Sequence, residues 1–138
     1  MAKAVFRSGD HIMIVTLPNG KINIPGGHLD FGESPLDTLR RELKEEISYA
    51  LSAEPQLIGV WSTVRSSEPV RLLIGYLIDL PEQRPFTYTE PAEPGGICTW
   101  IDRNAIETMA MPAYYKEFLT AAFNHPHGTL RLDRHLSS

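Results

Sequence analysis

Apolar positions along this chain follow two different periods, and each period predicts its own elements. His11 to Leu17 is rich in Ile and Val, Pro18-Asn19-Gly20 is a turn signal, and Lys21 to Ile24 alternates polar with apolar, so the segment predicts a hairpin. Two longer β-like runs, Gln56 to Val64 and Val70 to Leu80, flank Arg65-Ser66-Ser67-Glu68-Pro69, and Ile97 to Ile101 reads as a shorter strand. The helical period appears twice. Leu36, Leu39, Leu43 and Ile47 form a stripe behind a complete start signal, with Ser34 as N-cap, Pro35 at the first helical position and Asp37 three residues after the cap. A second helix is predicted from Ala113 to Phe123, with Tyr114, Phe118, Ala121 and Ala122 on one side, and Asn104 to Met109 reads as a short extra turn. Between Pro81 and Gly96, six prolines and glycines discourage regular structure and predict a long functional loop. After Asn124 the tail holds Pro126 and Gly128 and is expected to fray.

Length and composition narrow this to a class. At 138 residues the chain has the size of one domain, expected to span 1–138 as a single active unit, and 42% hydrophobic with 22% charged residues is ordinary for a globular protein. A net charge of −4 supplies no basic footprint for duplex DNA, so an anionic substrate would need a cation as bridge. The lone Cys98 fits a reducing compartment, and the cytoplasm is expected. Charges interrupt the first ten residues, and the longest apolar runs, Ile12 to Leu17 and Leu72 to Leu80, are too short to span a membrane.

The candidate chemistry lies on the first helix. Glu42, Glu45 and Glu46 stand at i, i+3 and i+4 and project from one flank, where their mutual repulsion calls for compensation. Hard divalent cations take oxygen ligands, and Mg2+ characteristically sits on one or two carboxylates plus phosphate oxygens. A glutamate-rich helix face is by itself usually solvated surface. The preceding loop, Pro25-Gly26-Gly27-His28-Leu29-Asp30-Phe31-Gly32-Glu33, changes that balance, because paired glycines let backbone approach a ligand closely.

Together these residues resemble the Nudix box, G-x5-E-x7-R-E-U-x-E-E-x-G-U with U aliphatic. Gly27, Glu33, Arg41, Glu42, Leu43, Glu45 and Glu46 match, while Ser48 and Tyr49 replace the final Gly and aliphatic residue. A chance match of six such residue types is on the order of 10⁻⁵. Without Gly at 48, the helix is expected to run on toward Ala50 or Leu51 before Pro55 stops it.

The resemblance implies an α/β fold, the Nudix-type α/β/α sandwich with a mixed β-sheet. It also implies metal ligation by Glu42, Glu45, Glu46 and the backbone carbonyl of Gly26, with Mg2+ as cofactor and Mn2+ as an alternative. Glu33 paired with Arg41 is implied to orient the ligands, and Glu45 and Glu46 rank first as general base. A further carboxylate from a distant loop is implied, for which Glu93 and then Glu90 are the candidates. The implied activity is metal-dependent hydrolysis of a diphosphate linkage in a nucleotide-like substrate, of the NTP, dNTP or nucleotide-sugar type. A non-catalytic nucleotide-sensing module is the alternative, and a homodimer is a family-level expectation. Around this centre Gly27, His28 and Arg65 are candidate substrate contacts, and Arg71 is a second candidate phosphate grip. Trp61, Tyr76, Phe86 and Tyr88 are candidates for stacking on a base, with a core role as the alternative. His11, His125 and His127 carry no metal spacing.

Overall fold

The computed structural model describes the backbone of residues 1–65, 68–124 and 131–132, and side chains outside 63–70 and 131–132. Its elements run β1 (Ala2–Ser8), β2 (His11–Thr16), β3 (Ile22–Asn23), β4 (Gly26–Gly27), α1 (Pro35–Ile47), β5 (Gln56–Arg65), β6 (Glu68–Asp79), β7 (Ile97–Asp102), a 3₁₀ helix (Arg103–Thr108), α2 (Ala113–Asn124) and β8 (Arg131–Leu132). Strands order as β3-β2-β1-β6-β5-β8, with β4 added to β1 and β7 to β2. β1 pairs parallel with β6 and β5 parallel with β8, while the other pairs are antiparallel, so the sheet is mixed. Apart from Arg131–Leu132, the tail expected to fray lies outside the described residues, as do His125 and His127.

A helix covers each face of the sheet, which gives the expected α/β/α sandwich. Because alternate strand residues point to opposite faces, Ala2, Ala4 and Phe6 of β1 and Met13 and Val15 of β2 pack with Leu39, Leu43 and Ile47 of α1. Val5, Ile12 and Ile14 point the other way, toward Phe118, Leu119, Ala121 and Ala122 of α2. Strands buried on both faces read as continuous apolar runs rather than alternations. The sequence reading did not anticipate β1 at all. Its alanines and Lys3 have low strand propensity, yet β1 lies at the middle of the sheet with both edges paired.

Trp61 and Tyr76, candidate stacking residues, are core: Trp61 is fully buried and rings 5.3 Å from Phe118, and Tyr76 is 7% exposed. Phe86 packs against Phe6, Tyr49 and Trp100 instead of facing a ligand.

Helix α1 starts as its sequence predicts. Ser34 Oγ accepts from the Asp37 N–H at 3.1 Å and the Asp37 carboxylate accepts from the Ser34 N–H at 3.1 Å, a reciprocal capping box. It does not run on to Leu51. Ser48 takes the left-handed conformation itself (φ 54°, ψ 35°), its N–H donating to Lys44 O and that of Tyr49 to Leu43 O. These are the closing bonds that a glycine would normally make possible. They hold a non-glycine residue in a conformation costing roughly 1–2 kcal/mol.

Candidate active site

Two glycines set where the loop before α1 can lie. Gly26 pairs with Lys3 and Gly27 with Ala2, and the Ala4 N–H donates to Pro25 O at 2.9 Å, so the loop is laced to β1. Gly26 has φ +132°, and a Cβ there would overlap the Ala2 carbonyl oxygen. A Cβ on Gly27 would come within 2.5 Å of Glu42 Oε1. Gly26 therefore admits the backbone only, whereas a side chain at Gly27 would displace the Glu42 carboxylate that rests against it.

Arg41 organises the acidic side chains of this loop and helix. Its guanidinium clamps Glu33 in bidentate fashion, Nε to Oε2 at 2.7 Å and Nη2 to Oε1 at 2.9 Å, while Nη1 donates to Glu42 Oε1 at 2.9 Å. It also approaches Glu45 at 3.5 Å and Asp30 at 3.4 Å, and donates to His28 O at 3.2 Å. Glu33 accepts further from the Asp30 N–H and the Thr38 hydroxyl. Arg41 and these donors pull the Glu33 carboxyl down to about 2. Glu33 thus stands one step behind the cleft-lining carboxylates, aligning Arg41.

Glu46 is the interior member of the trio, 3% exposed, and its Oε1 accepts from the Gly26 N–H at 3.0 Å. Beside it lies Lys3, also buried, whose Nζ donates to Ile24 O at 2.8 Å and Asn23 Oδ1 at 3.1 Å and sits 5.7 Å from the Tyr115 ring centroid. Burial pushes the Glu46 carboxyl up and the Lys3 ammonium down, and the charge of each opposes the other's shift. A buried carboxylate needs such a counter-charge.

The long loop between β6 and β7 is fastened to the end of α1. Thr89 donates its N–H to Glu46 O at 2.6 Å and its hydroxyl to Glu45 O at 2.8 Å, satisfying carbonyls that the last helical turn leaves open. The Arg84 guanidinium stacks 4.9 and 5.0 Å from the Tyr49 and Phe86 centroids, and its carbonyl accepts from Trp100 Nε1 at 2.8 Å. This docking carries Glu90 to α1: one carboxylate oxygen each from Glu42, Glu45 and Glu90 lie within 4.8 Å of one another.

These parts line a cleft of about 930 Å³, within the range of small-molecule sites. Gly26, Gly27, His28, Arg41, Glu42, Glu45, Glu46, Glu90 and Glu93 all border it, whereas Glu33 does not. Of the two loop glutamates, Glu90 rather than Glu93 joins the carboxylate group. Arg71 and Tyr88 line the cleft too, while the side chain of Arg65 lies outside the described ones. The sequence reading missed Lys3, Asn23 and Tyr115. A lysine between alanines in Ala2-Lys3-Ala4-Val5-Phe6 was the available signal, since in a doubly covered strand it has to be buried.

The three gathered donors are hard oxygens at mutual distances suited to a single small divalent cation, so the residues present fit one.

A family model described as the NUDIX domain matches residues 4–121. No curated protein matches the chain. Among solved structures it is similar to the NUDIX domain of Shewanella oneidensis NrtR complexed with ADP ribose, at 16% identity and TM-score 0.71 over 88% of this chain and 84% of that one. It is similar to a MutT NUDIX hydrolase from Burkholderia pseudomallei, at 18% identity and TM-score 0.70 over 86% and 93%. It is also similar to the E. coli dihydroneopterin triphosphate pyrophosphohydrolase, at 17% identity and TM-score 0.69 over 89% and 94%. At these identities the likeness is one of fold. The match over residues 4–121 includes every α1 glutamate and the glycine loop beside them, and the chain belongs to the NUDIX domain family.

Proposed function

We propose that the protein is a Mg2+-dependent pyrophosphohydrolase that cleaves the diphosphate linkage of a nucleoside diphosphate-linked substrate, such as an NTP, a dNTP or a nucleotide sugar. The observation that carries this reading is the convergence of Glu42, Glu45 and Glu90 in a cleft that Gly26 and Gly27 also line. Those three, with Glu46 and the Gly26 carbonyl as the further ligands the family signature implies, would hold the cation. When bound, it would neutralise phosphate oxygens and make a water nucleophilic. The protein's own groups do the rest. Arg41, fixed by Glu33, holds Glu42 and approaches Glu45, so the carboxylates keep their spacing. Lys3 balances the charge of Glu46. Glu45, half exposed, and Glu46, buried, are the two carboxylates that can take the proton of the attacking water. Arg71 and His28 border the cleft where phosphate oxygens would lie.

The lone Cys98 has its thiol pushed up to about 11 by burial, which makes it a poor nucleophile, and a single free cysteine fits a reducing cytoplasm. Among the described residues no helix is long and apolar enough to cross a membrane.

Assaying nucleoside triphosphates and nucleotide sugars with Mg2+ for released phosphate products tests the proposal. Glu45→Gln and Glu46→Gln should each lower the rate by about 10²-fold or more. A lowered cation affinity marks a ligand, and a lowered rate at saturating cation marks the base. Uniform inactivity of the parent protein would instead favour a nucleotide-binding module.

A further inference from the structure

Two residues depart from the box, and they sit side by side after α1. Ser48 takes the left-handed turn itself, with φ 54°. Tyr49 is half-buried and brings a ring where the signature has an aliphatic side chain, and that ring has three neighbours. Phe6, fully buried in β1, meets it edge-on at 5.0 Å between centroids, Phe86 lies at 6.2 Å, and the Arg84 guanidinium sits over its face at 4.9 Å. An aliphatic side chain could also pack against Phe6. It could not hold the guanidinium, because only an aromatic face carries the quadrupole that attracts a cation.

Arg84 and Phe86 both belong to the loop between β6 and β7. Pro81, Pro85, Pro91 and Pro94 in that loop lack an N–H, so side chains carry much of its attachment. Arg84 stacks on Phe86 too, at 5.0 Å, its carbonyl accepts from Trp100 Nε1 at 2.8 Å, and Phe86 packs on Phe6 at 5.1 Å. On the other side, the Tyr49 N–H donates to Leu43 O at 3.1 Å, which ties the ring to the helix bearing Glu42 and Glu45. Tyr49 therefore joins that helix to the loop. With residues 84 and 86 pinned there and Thr89 bonded to the last turn of α1, Glu90 follows directly on a fastened stretch of chain.

We infer that Tyr49 is a positioning residue for the cation site: its ring pins the loop through Arg84 and Phe86, and so holds Glu90 beside Glu42 and Glu45. The inference rests on the proposed cation site and adds a residue that touches neither cation nor substrate. It also runs against the signature, since restoring an aliphatic residue at position 49 should weaken the site.

Titration with Mn2+ followed by electron paramagnetic resonance, at a temperature where every variant is folded, tests this without turnover. Tyr49→Leu should bind Mn2+ about tenfold more weakly than the parent, the effect of losing a group that positions metal ligands. Tyr49→Phe keeps the aromatic face and should bind as the parent does. Arg84→Gln alters only an exposed side chain, so it serves should Tyr49→Leu not fold, and it should weaken binding about threefold. Removing a positive charge would by itself draw a cation more tightly, so weakening in Arg84→Gln has to come through the loop. Acrylamide quenching reads the loop itself: Trp61 is fully buried, so the half-buried Trp100 supplies the accessible fluorescence, and its quenching should rise in both weakened variants. An unchanged Mn2+ affinity in folded Tyr49→Leu, equal weakening in Tyr49→Phe, an unchanged or tighter affinity in Arg84→Gln, or weaker binding without a change in quenching would each overturn the inference. Glu90→Gln separates it from the reading beneath it. If that variant binds Mn2+ like the parent, the three-carboxylate site itself is refuted; if it binds weakly while Tyr49→Leu does not, only the role of Tyr49 falls.

Discussion

At the scale of single residues, the unusual energetics collect around Arg41. One guanidinium meets Glu33 with two nitrogens, Glu42 with a third, and holds Glu45 and Asp30 nearby. This was largely legible: the spacing of Glu33, Arg41 and Glu42 named the participants, because a family signature fixes residue types where geometry is demanding. The consequence for pH follows from Glu33. Its carboxyl is held at about 2 in the folded protein against an ordinary value of 4.5. An unfolded chain therefore takes up this proton first as pH falls, so the contribution is fully present above 4.5 and disappears as pH drops through about 2. The melting temperature should accordingly fall less steeply between these limits in Glu33→Gln than in the parent. Thermal melts across that range check this, and parallel curves would show that the Arg41 clamp has no differential effect on folding. Ser48 illustrates what could not be read. Substituting the box glycine suggested a longer helix, yet two capping bonds and the packing of Tyr49 against Phe6 hold the chain in its turn. Tertiary contacts of this kind have no local signature.

Among the elements, α1 and the loop from Pro81 to Gly96 had to be placed relative to each other, and their docking was invisible in sequence. Loop composition revealed a loop, and its two central glutamates stood out as candidates. What selects Glu90 is Thr89, whose N–H and hydroxyl occupy the terminal carbonyls of α1. Backbone carbonyls carry no residue identity, so no pattern could announce them. Thr89→Val preserves shape and β-branching while removing the hydroxyl donor, and should let Glu90 drift from Glu42 and Glu45. The half-saturating Mg2+ concentration for activity should rise about tenfold, the usual cost of losing a group that positions metal ligands. Mn2+ titration followed by electron paramagnetic resonance should show the same weakening, and Thr89→Ser should restore both. An unaltered cation affinity in Thr89→Val would mean that Glu90 is positioned by the rest of the loop. Strand β1 was missed for a related reason. Its Ala2-Lys3-Ala4 start lacks β-branched residues, and only its place between β2, β4 and β6 makes it a strand.

For the molecule as a whole, the sandwich brings acidic groups from α1 and the loop to the same cleft as the buried Lys3 of β1. The two helices and strands β2, β3, β5, β6 and β7 were legible because apolar periodicity reports burial, and burial is a property of the whole molecule written into each segment. The balance of charge across the cleft was not, since it depends on β1 pairing with β4. That balance is incomplete: Glu42, Glu45 and Glu90 crowd together with a net charge of −4 over the chain. A divalent cation should therefore bind the folded form and not the dispersed carboxylates of the unfolded one. Binding to the native state alone stabilises by RT ln(1 + [L]/Kd), or about 2.7 kcal/mol at a hundredfold excess over Kd. In a protein of this size that corresponds to a rise in melting temperature of roughly 5–15 °C. Melts in Mg2+ should exceed melts in excess chelator by that margin at matched ionic strength, and Na+ should not substitute. Glu42→Gln combined with Glu90→Gln should lose most of the Mg2+ increment. If parent and double variant gain equally from Mg2+, the cation acts elsewhere on the surface, and the convergence of these carboxylates is not its binding site.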